Sequence, residues 1–153
     1  MAEYSNNSLQ TINPGEYAVF TITDIPCNKG LVRHRDGTGA FLLKGWVPNR
    51  CGCGCNKNAL YFVDFGANIA IPTGQTVGPI SVAISADGAT VPASTMIVTP
   101  AAVEEFFNVS RAISVPVWSG CCETVAVQNT SDIPILMQNA NIVFNRPDLN
   151  VTY

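Results

Sequence analysis

Residues 80–85 read Ile80-Ser81-Val82-Ala83-Ile84-Ser85, and residues 124–128 read Thr124-Val125-Ala126-Val127-Gln128. In both runs every second residue is a large aliphatic one, and the residues between are small or polar. Successive side chains of an extended strand point to opposite faces, so a period of two puts the aliphatic residues on one side. That is the pattern of an antiparallel strand buried on one face.

Working outward from these two runs, further stretches rich in Val, Ile, Thr, Phe and Tyr are predicted as strands. They cover residues 17–24, 31–35, 40–47, 59–71, 80–86, 95–98, 112–118, 123–129, 133–138 and 140–144, about ten in all. Turn signals separate them: Asn13-Pro14-Gly15, Asp36-Gly37-Thr38-Gly39, Pro72-Thr73-Gly74, Asp87-Gly88, Ser119-Gly120 and Thr130-Ser131-Asp132. Short strands at this spacing predict an all-β sandwich or barrel and not a βαβ fold. One short helix is predicted over residues 101–107, with Thr99 as N-cap, Pro100 at the first helical position and Asn108 as the stop. Residues 1–12 are polar and read as an N-terminal arm, flexible or docked on a partner. Residues 13–153 then form one domain, the number that 153 residues predict.

Charged residues make up only 12% of the chain and hydrophobic ones 47%. This excludes a disordered chain, and it counts against a free-standing helical bundle, whose exposed faces are rich in Glu, Lys and Arg. A surface so poor in charge is either covered with Asn, Thr, Ser and Gly or hidden in contacts with other chains. No apolar stretch approaches the ~20 residues of a membrane span. The N-terminus lacks the basic and apolar regions of a secretory signal.

The net charge of −3 is unevenly spread. Lys29, Arg33, Arg35, Lys44, Arg50 and Lys57 face a single acid, Asp36, in one segment of net charge +5, while the remainder is −8. Either these bases meet acids on neighbouring strands, or they look toward an acidic partner. In the second case Arg33, Arg35 and Arg50 are the docking residues.

Six cysteines are present. Cys51, Cys53 and Cys55 alternate with glycine. In an extended strand such thiols lie roughly 6.6 Å apart, too far for one tetrahedral zinc. A loop would bring them together, but a fourth ligand is unassigned, so the cluster is a weak metal candidate. Cys27 and the vicinal pair Cys121-Cys122 are the remaining thiols, and the even count permits disulfides if the protein reaches an oxidising setting. His34 is the only histidine, flanked by Arg33 and Arg35. No nucleophile elbow, phosphate loop or paired carboxylates accompany it, so neither catalysis nor a cofactor is expected. A pI near 4.9 counts against nucleic acid as a partner.

Several motifs, taken together, resemble the TNF/C1q-like jelly rolls, in particular a branch found in phages and prophages of gut Firmicutes. They are Asn13-Pro14-Gly15-Glu16, Gly30-Leu31-Val32-Arg33-His34-Arg35 with residues 37–42, Tyr61-Phe62-Val63-Asp64-Phe65-Gly66-Ala67-Asn68-Ile69 and Ile71-Pro72-Thr73-Gly74. Gly78-Pro79-Ile80, Val98-Thr99-Pro100-Ala101-Ala102-Val103-Glu104-Glu105 and Gln138-Asn139-Ala140-Asn141-Ile142 complete the set, which spans residues 13–146. The resemblance implies an antiparallel jelly-roll sandwich of about ten strands assembling as a homotrimer, with aromatics such as Tyr61, Phe62 and Phe65 toward the three-fold axis. It also implies a virion protein made in the host cytoplasm without a signal peptide. In that role the chain decorates a capsid or forms the knob of a head fibre, with another virion protein as partner. The chain then reads as a head without a shaft. Two alternatives stay open: a module binding surface glycans or a receptor, with Trp46, Trp118 and Tyr153 as stacking platforms, and a cysteine-cross-linked spore- or cell-surface protein.

Overall fold

The computed structural model describes residues 1–27, 29–47 and 58–149. Twelve strands follow one another: β1 (Ala2–Asn6), β2 (Gln10–Ile12), β3 (Ile22–Ile25), β4 (Val32–His34), β5 (Phe41–Lys44), β6 (Asn58–Ala70), β7 (Ile80–Ala86), β8 (Ala89–Thr90), β9 (Met96–Val98), β10 (Phe107–Trp118), β11 (Cys122–Asn129) and β12 (Ile135–Asn145). The first sheet runs β10-β6-β12-β1-β3, with β2 also paired to β12, and the second runs β4-β5-β11-β7-β8, with β9 on β7. The strand pairings among the described residues are antiparallel throughout, as period-two patterning requires. The architecture is the expected all-β jelly-roll sandwich.

The core lies between the sheets. From the first come Tyr61, Val63, Phe65, Ala67 and Ile69 of β6 with Ile142 and Phe144 of β12, and from the second come Phe41, Leu43, Ile80, Val82, Ile84, Val125 and Val127. Each fully buried large side chain contributes about 1.5–3 kcal/mol relative to exposure. One end of the core is aromatic: Phe41 lies 4.9–5.1 Å from Tyr4, Phe20 and Phe144 and stacks on His34 at 4.2 Å. The buried turn after β11 satisfies its polar groups locally, whereas the Asn58 and Asn145 side-chain oxygens are buried without a hydrogen-bond partner. The Asn129 amide donates to the carbonyls of Ile12 and Ile133, and its side-chain oxygen accepts from the Ser131 amide, fixing the turn after β11.

Three expectations need correction. Residues 1–12 are not a free arm: Ala2 and Tyr4 are buried, and β1 lies between β12 and β3 in the sheet. Inward Ala2 and Tyr4 alternate with Glu3 and Ser5 on the opposite side, where Ser5 is also buried, so polar composition concealed a strand. No helix forms over residues 101–107. Glu104 takes a left-handed φ of 57° and its amide donates to the Ile71 carbonyl, while the Glu105 carboxylate accepts from the Ala101 and Ala102 amides. A two-turn helix is marginal alone, and these contacts hold a loop in its place. The predicted break near residue 139 is instead a bulge within one strand. Asn139 sits at φ 53°, a conformation asparagine tolerates, and the register shifts between Gln138 and Asn141.

Candidate functional site

Two surfaces carry the chemistry that the sequence singled out. The first is the outward face of the first sheet. The register of β10 on β6 places cross-strand pairs side by side: Asn108 with Asn68, Ser110 with Gly66, Ala112 with Asp64, Ser114 with Phe62, Pro116 with Leu60 and Trp118 with Asn58. One half of this face is small and polar, and the other is apolar. Phe62 is 41% exposed and Trp118 63%, and Leu60 is likewise exposed. Asp64 and Glu3 bring the charge, and Glu3 accepts a hydrogen bond from Asn141 on β12 at 2.8 Å. A depression of about 810 Å³ crosses the face at Gly66 and continues round the free edge of β10 to Arg111. The Arg111 Nε donates to the Ala93 carbonyl of the opposite layer at 2.9 Å.

The expectation that Tyr61, Phe62 and Phe65 share one face does not survive. Tyr61 and Phe65 are buried between the sheets and only Phe62 looks out. Neighbours at odd spacing on a strand point to opposite sides, so the three cannot act together.

The second surface is basic. Arg33 projects outward from β4, paired beside Leu42, and Lys44 projects beside Cys122. Arg35 is exposed in the turn that follows β4, and its carbonyl accepts from the amide and hydroxyl of Thr38. Among the described residues, Lys29, Arg33, Arg35 and Lys44 have no carboxylate within 4.0 Å. The bases are therefore not neutralised by neighbouring strands. Arg50 and Lys57 lie outside the described residues, as do Cys51, Cys53, Cys55 and Tyr153.

This basic side ends in a rim built from inside. Arg146 is 6% exposed, and its guanidinium lies 4.9 Å over the Tyr61 ring. Its Nη1 and Nη2 both donate to the Trp46 carbonyl at 3.1 Å. The Tyr61 hydroxyl donates toward the carbonyls of Lys44 at 2.6 Å and Leu31 at 3.1 Å. Burial pushes that hydroxyl above the usual tyrosine range, while Arg146 pulls it down in part. The Lys44 amide in turn donates to the Leu31 carbonyl at 2.8 Å. A buried Arg–Tyr pair thus pins the backbone of Leu31, Lys44 and Trp46. Outside this brace, Trp46 is 52% exposed and lines a shallow depression of about 450 Å³ with Lys29, Gly30, Leu31 and Lys44. Gly45, between Lys44 and Trp46, donates to the Cys121 carbonyl at 2.8 Å and accepts from the Gly120 amide at 2.9 Å. A Cβ there would stand 1.8 Å from the Trp118 carbonyl oxygen, so only glycine fits.

The thiols and the histidine are dispersed. Cys121 and Cys122 are exposed at the β10–β11 hairpin, and Cys27 is half-buried in a separate end cavity beside Tyr61 and Arg146. All three are free, so no disulfide joins any two of them. Among the described residues no three metal-ligating side chains gather. His34 is held in the aromatic cluster, with Nδ1 3.0 Å from the Ala40 carbonyl and Nε2 3.2 Å from the Phe20 carbonyl. Arg146 and Tyr61 were not identified as site residues from sequence, and no local motif marks the pair.

No family model matches the chain, and no curated protein matches its sequence. Solved structures do match. The globular domain of zebrafish complement 1qA protein superposes with a TM-score of 0.52 at 9% identity, covering 93% of this chain and 94% of that one. Pika GITRL aligns over 96% of this chain and 99% of its own at 10% identity, with a TM-score of 0.40. The EclA C-terminal domain, a sugar-binding protein, aligns over 77% and 86% at 16% identity and 0.35. Of these, the complement domain superposes closely enough to establish a shared fold: the chain has the C1q-like jelly-roll architecture.

Proposed function

We propose that the chain is a non-enzymatic structural head that assembles as a homotrimer through the outward face of its first sheet, and that it serves a bacteriophage virion as a capsid-decorating or head-fibre knob protein. The observation that carries the assembly is the apolar half of that face, where Leu60, Phe62, Pro116 and Trp118 stand exposed together. Large apolar side chains grouped on one surface mark an interaction site more often than an idle one. The virion setting is supported by the motif resemblance over residues 13–146. The non-enzymatic reading is supported by His34, whose two ring nitrogens both face backbone carbonyls.

Light scattering on a size-exclusion column, with and without reductant, tests the assembly. A mass near three times 16.3 kDa in both conditions is expected. A monomer at micromolar concentration overturns it. Particles released by the strain that encodes the chain, purified by density and analysed by mass spectrometry, are expected to contain it. The exposed pair Cys121 and Cys122 favours a second reading, a cross-linked surface protein. Assemblies that dissolve only in reductant would select that reading.

A further inference from the structure

We propose that the Trp46 rim is a binding subsite for an anionic polysaccharide, a role that goes beyond the assembly reading and does not depend on it. Three observations converge there. Trp46 is a large apolar side chain left half in solvent at the edge of an open depression. Its carbonyl is held by both terminal nitrogens of a buried arginine, and the neighbouring Lys44 and Leu31 carbonyls are held by the buried Tyr61 hydroxyl. Lys29 and Lys44 line the same depression with no carboxylate within 4.0 Å among the described residues.

Burying a guanidinium is costly unless its contacts return the lost hydration. Here both terminal nitrogens donate to the carbonyl of the residue bearing the exposed indole. The brace fixes the rim's backbone before a ligand arrives, which lowers the ordering cost of binding. The indole offers an apolar face to the C–H side of a sugar ring, and the two ammonium groups offer charge to a carboxylate or phosphate on the same chain. The depression is open and shallow, which suits a polymer laid across it. A small molecule would need a pocket enclosing most of its surface. Single-stranded nucleic acid would call for several stacking aromatics along a positive groove, whereas this rim has one indole on a chain of net charge −3.

The test is calorimetric titration of the full chain with hexagalacturonate in about 50 mM and about 500 mM salt, the higher concentration screening exposed charges to roughly a few ångströms. A mannose-6-phosphate-bearing oligosaccharide, neutral cellohexaose and a short oligothymidylate are the other probes. Binding of hexagalacturonate or the phosphorylated oligosaccharide is expected, the tighter of the two naming the source of the negative charge. Trp46→Ala should weaken it about fivefold or more, the scale of one aromatic contact. The Lys29→Ala/Lys44→Ala double variant should weaken it about tenfold at low salt and far less at high salt, as two exposed charge contacts do. Ile97→Ala, exposed on β9 and away from both surfaces, should leave it unchanged. The proposal falls if neither anionic probe binds, if cellohexaose binds equally well, if oligothymidylate binds more tightly, or if both rim variants bind like the parent. Light scattering on the same samples separates the two readings: a trimer that ignores both anionic probes removes only the subsite, and a monomer that binds them removes only the assembly.

Discussion

The outward faces of the two sheets are made from the same kind of alternating strand, yet they present different chemistry. On the first sheet, β6 and β10 turn Leu60, Phe62, Pro116 and Trp118 outward, with Asp64 and Glu3 as the charges. On the second, β4 and β5 turn Arg33, Leu42 and Lys44 outward, beside Cys122 and Thr124 of β11. One face suits burial against copies of the chain. The other keeps its cations in water, where hydration stabilises them and a partner can still reach them. The contrast lives in the residues at alternate positions, because the inward set is aliphatic and aromatic in both sheets.

Substitutions can break this comparison at different points. The largest effect is expected at the joint both faces share. Gly45→Ala forces a methyl group into the Trp118 carbonyl, which the β10–β11 hairpin cannot yield without losing its hydrogen bonds to Gly45. The loss should be about 3 kcal/mol or more by urea denaturation, since overpacking against backbone is poorly relieved. A stability within error of the parent would show that the joint gives way easily.

Phe62→Asp should act on one face alone. The proposed trimer is expected to give way to monomer in light scattering, because three buried carboxylates would lack partners. The melting temperature of the isolated chain should move only slightly, as for an exposed substitution within about 0.5 kcal/mol. The matching change on the other face, Arg33→Glu with Arg35→Glu, should leave the trimer intact. It should instead reduce retention on isolated particles about fivefold at low salt, with a smaller reduction at high salt. If the Arg33/Arg35 variant dissociates the trimer and the Phe62 variant does not, the assignment of faces is reversed.

The smallest effect concerns Glu123 at the start of β11. Burial, and secondarily the nearby Asp87 carboxylate, raise its pKa above the ordinary value of 4.5. The folded chain therefore holds this proton more tightly than the unfolded one. Glu123's contribution is fully present below the ordinary glutamate range and is lost as pH rises from about 4.5 toward the raised folded value. Glu123→Gln should flatten the stability profile across that window. A parent and variant with parallel profiles from pH 4 to about 7 would contradict the assignment.

Much of the frame was legible along the chain. The strand predicted over residues 80–86 coincides with β7, and the long run over 59–71 coincides with β6 to within a residue at each end. Both carry enough alternating positions for the period to show. β1 offers only Ala2 and Tyr4 as inward apolar residues in its first four positions, so polarity prevailed in the reading. The loop at 101–107 carries helix-like capping residues, but its conformation is set by Ile71, some thirty positions away, whose carbonyl takes the Glu104 amide.

The antiparallel β-sandwich of low charge is written along the chain, because strand alternation and turn chemistry are local properties readable within a few residues. The sequence also marked Trp46, Arg33 and Arg35 as residues of interest. Which of Tyr61, Phe62 and Phe65 reaches the surface, and that Arg146 braces Trp46 from 100 residues away, emerge when the two sheets pack. Those facts depend on which strands become neighbours and which sheet face closes on the other. That choice is made by burying the whole core at once, and no local stretch encodes it.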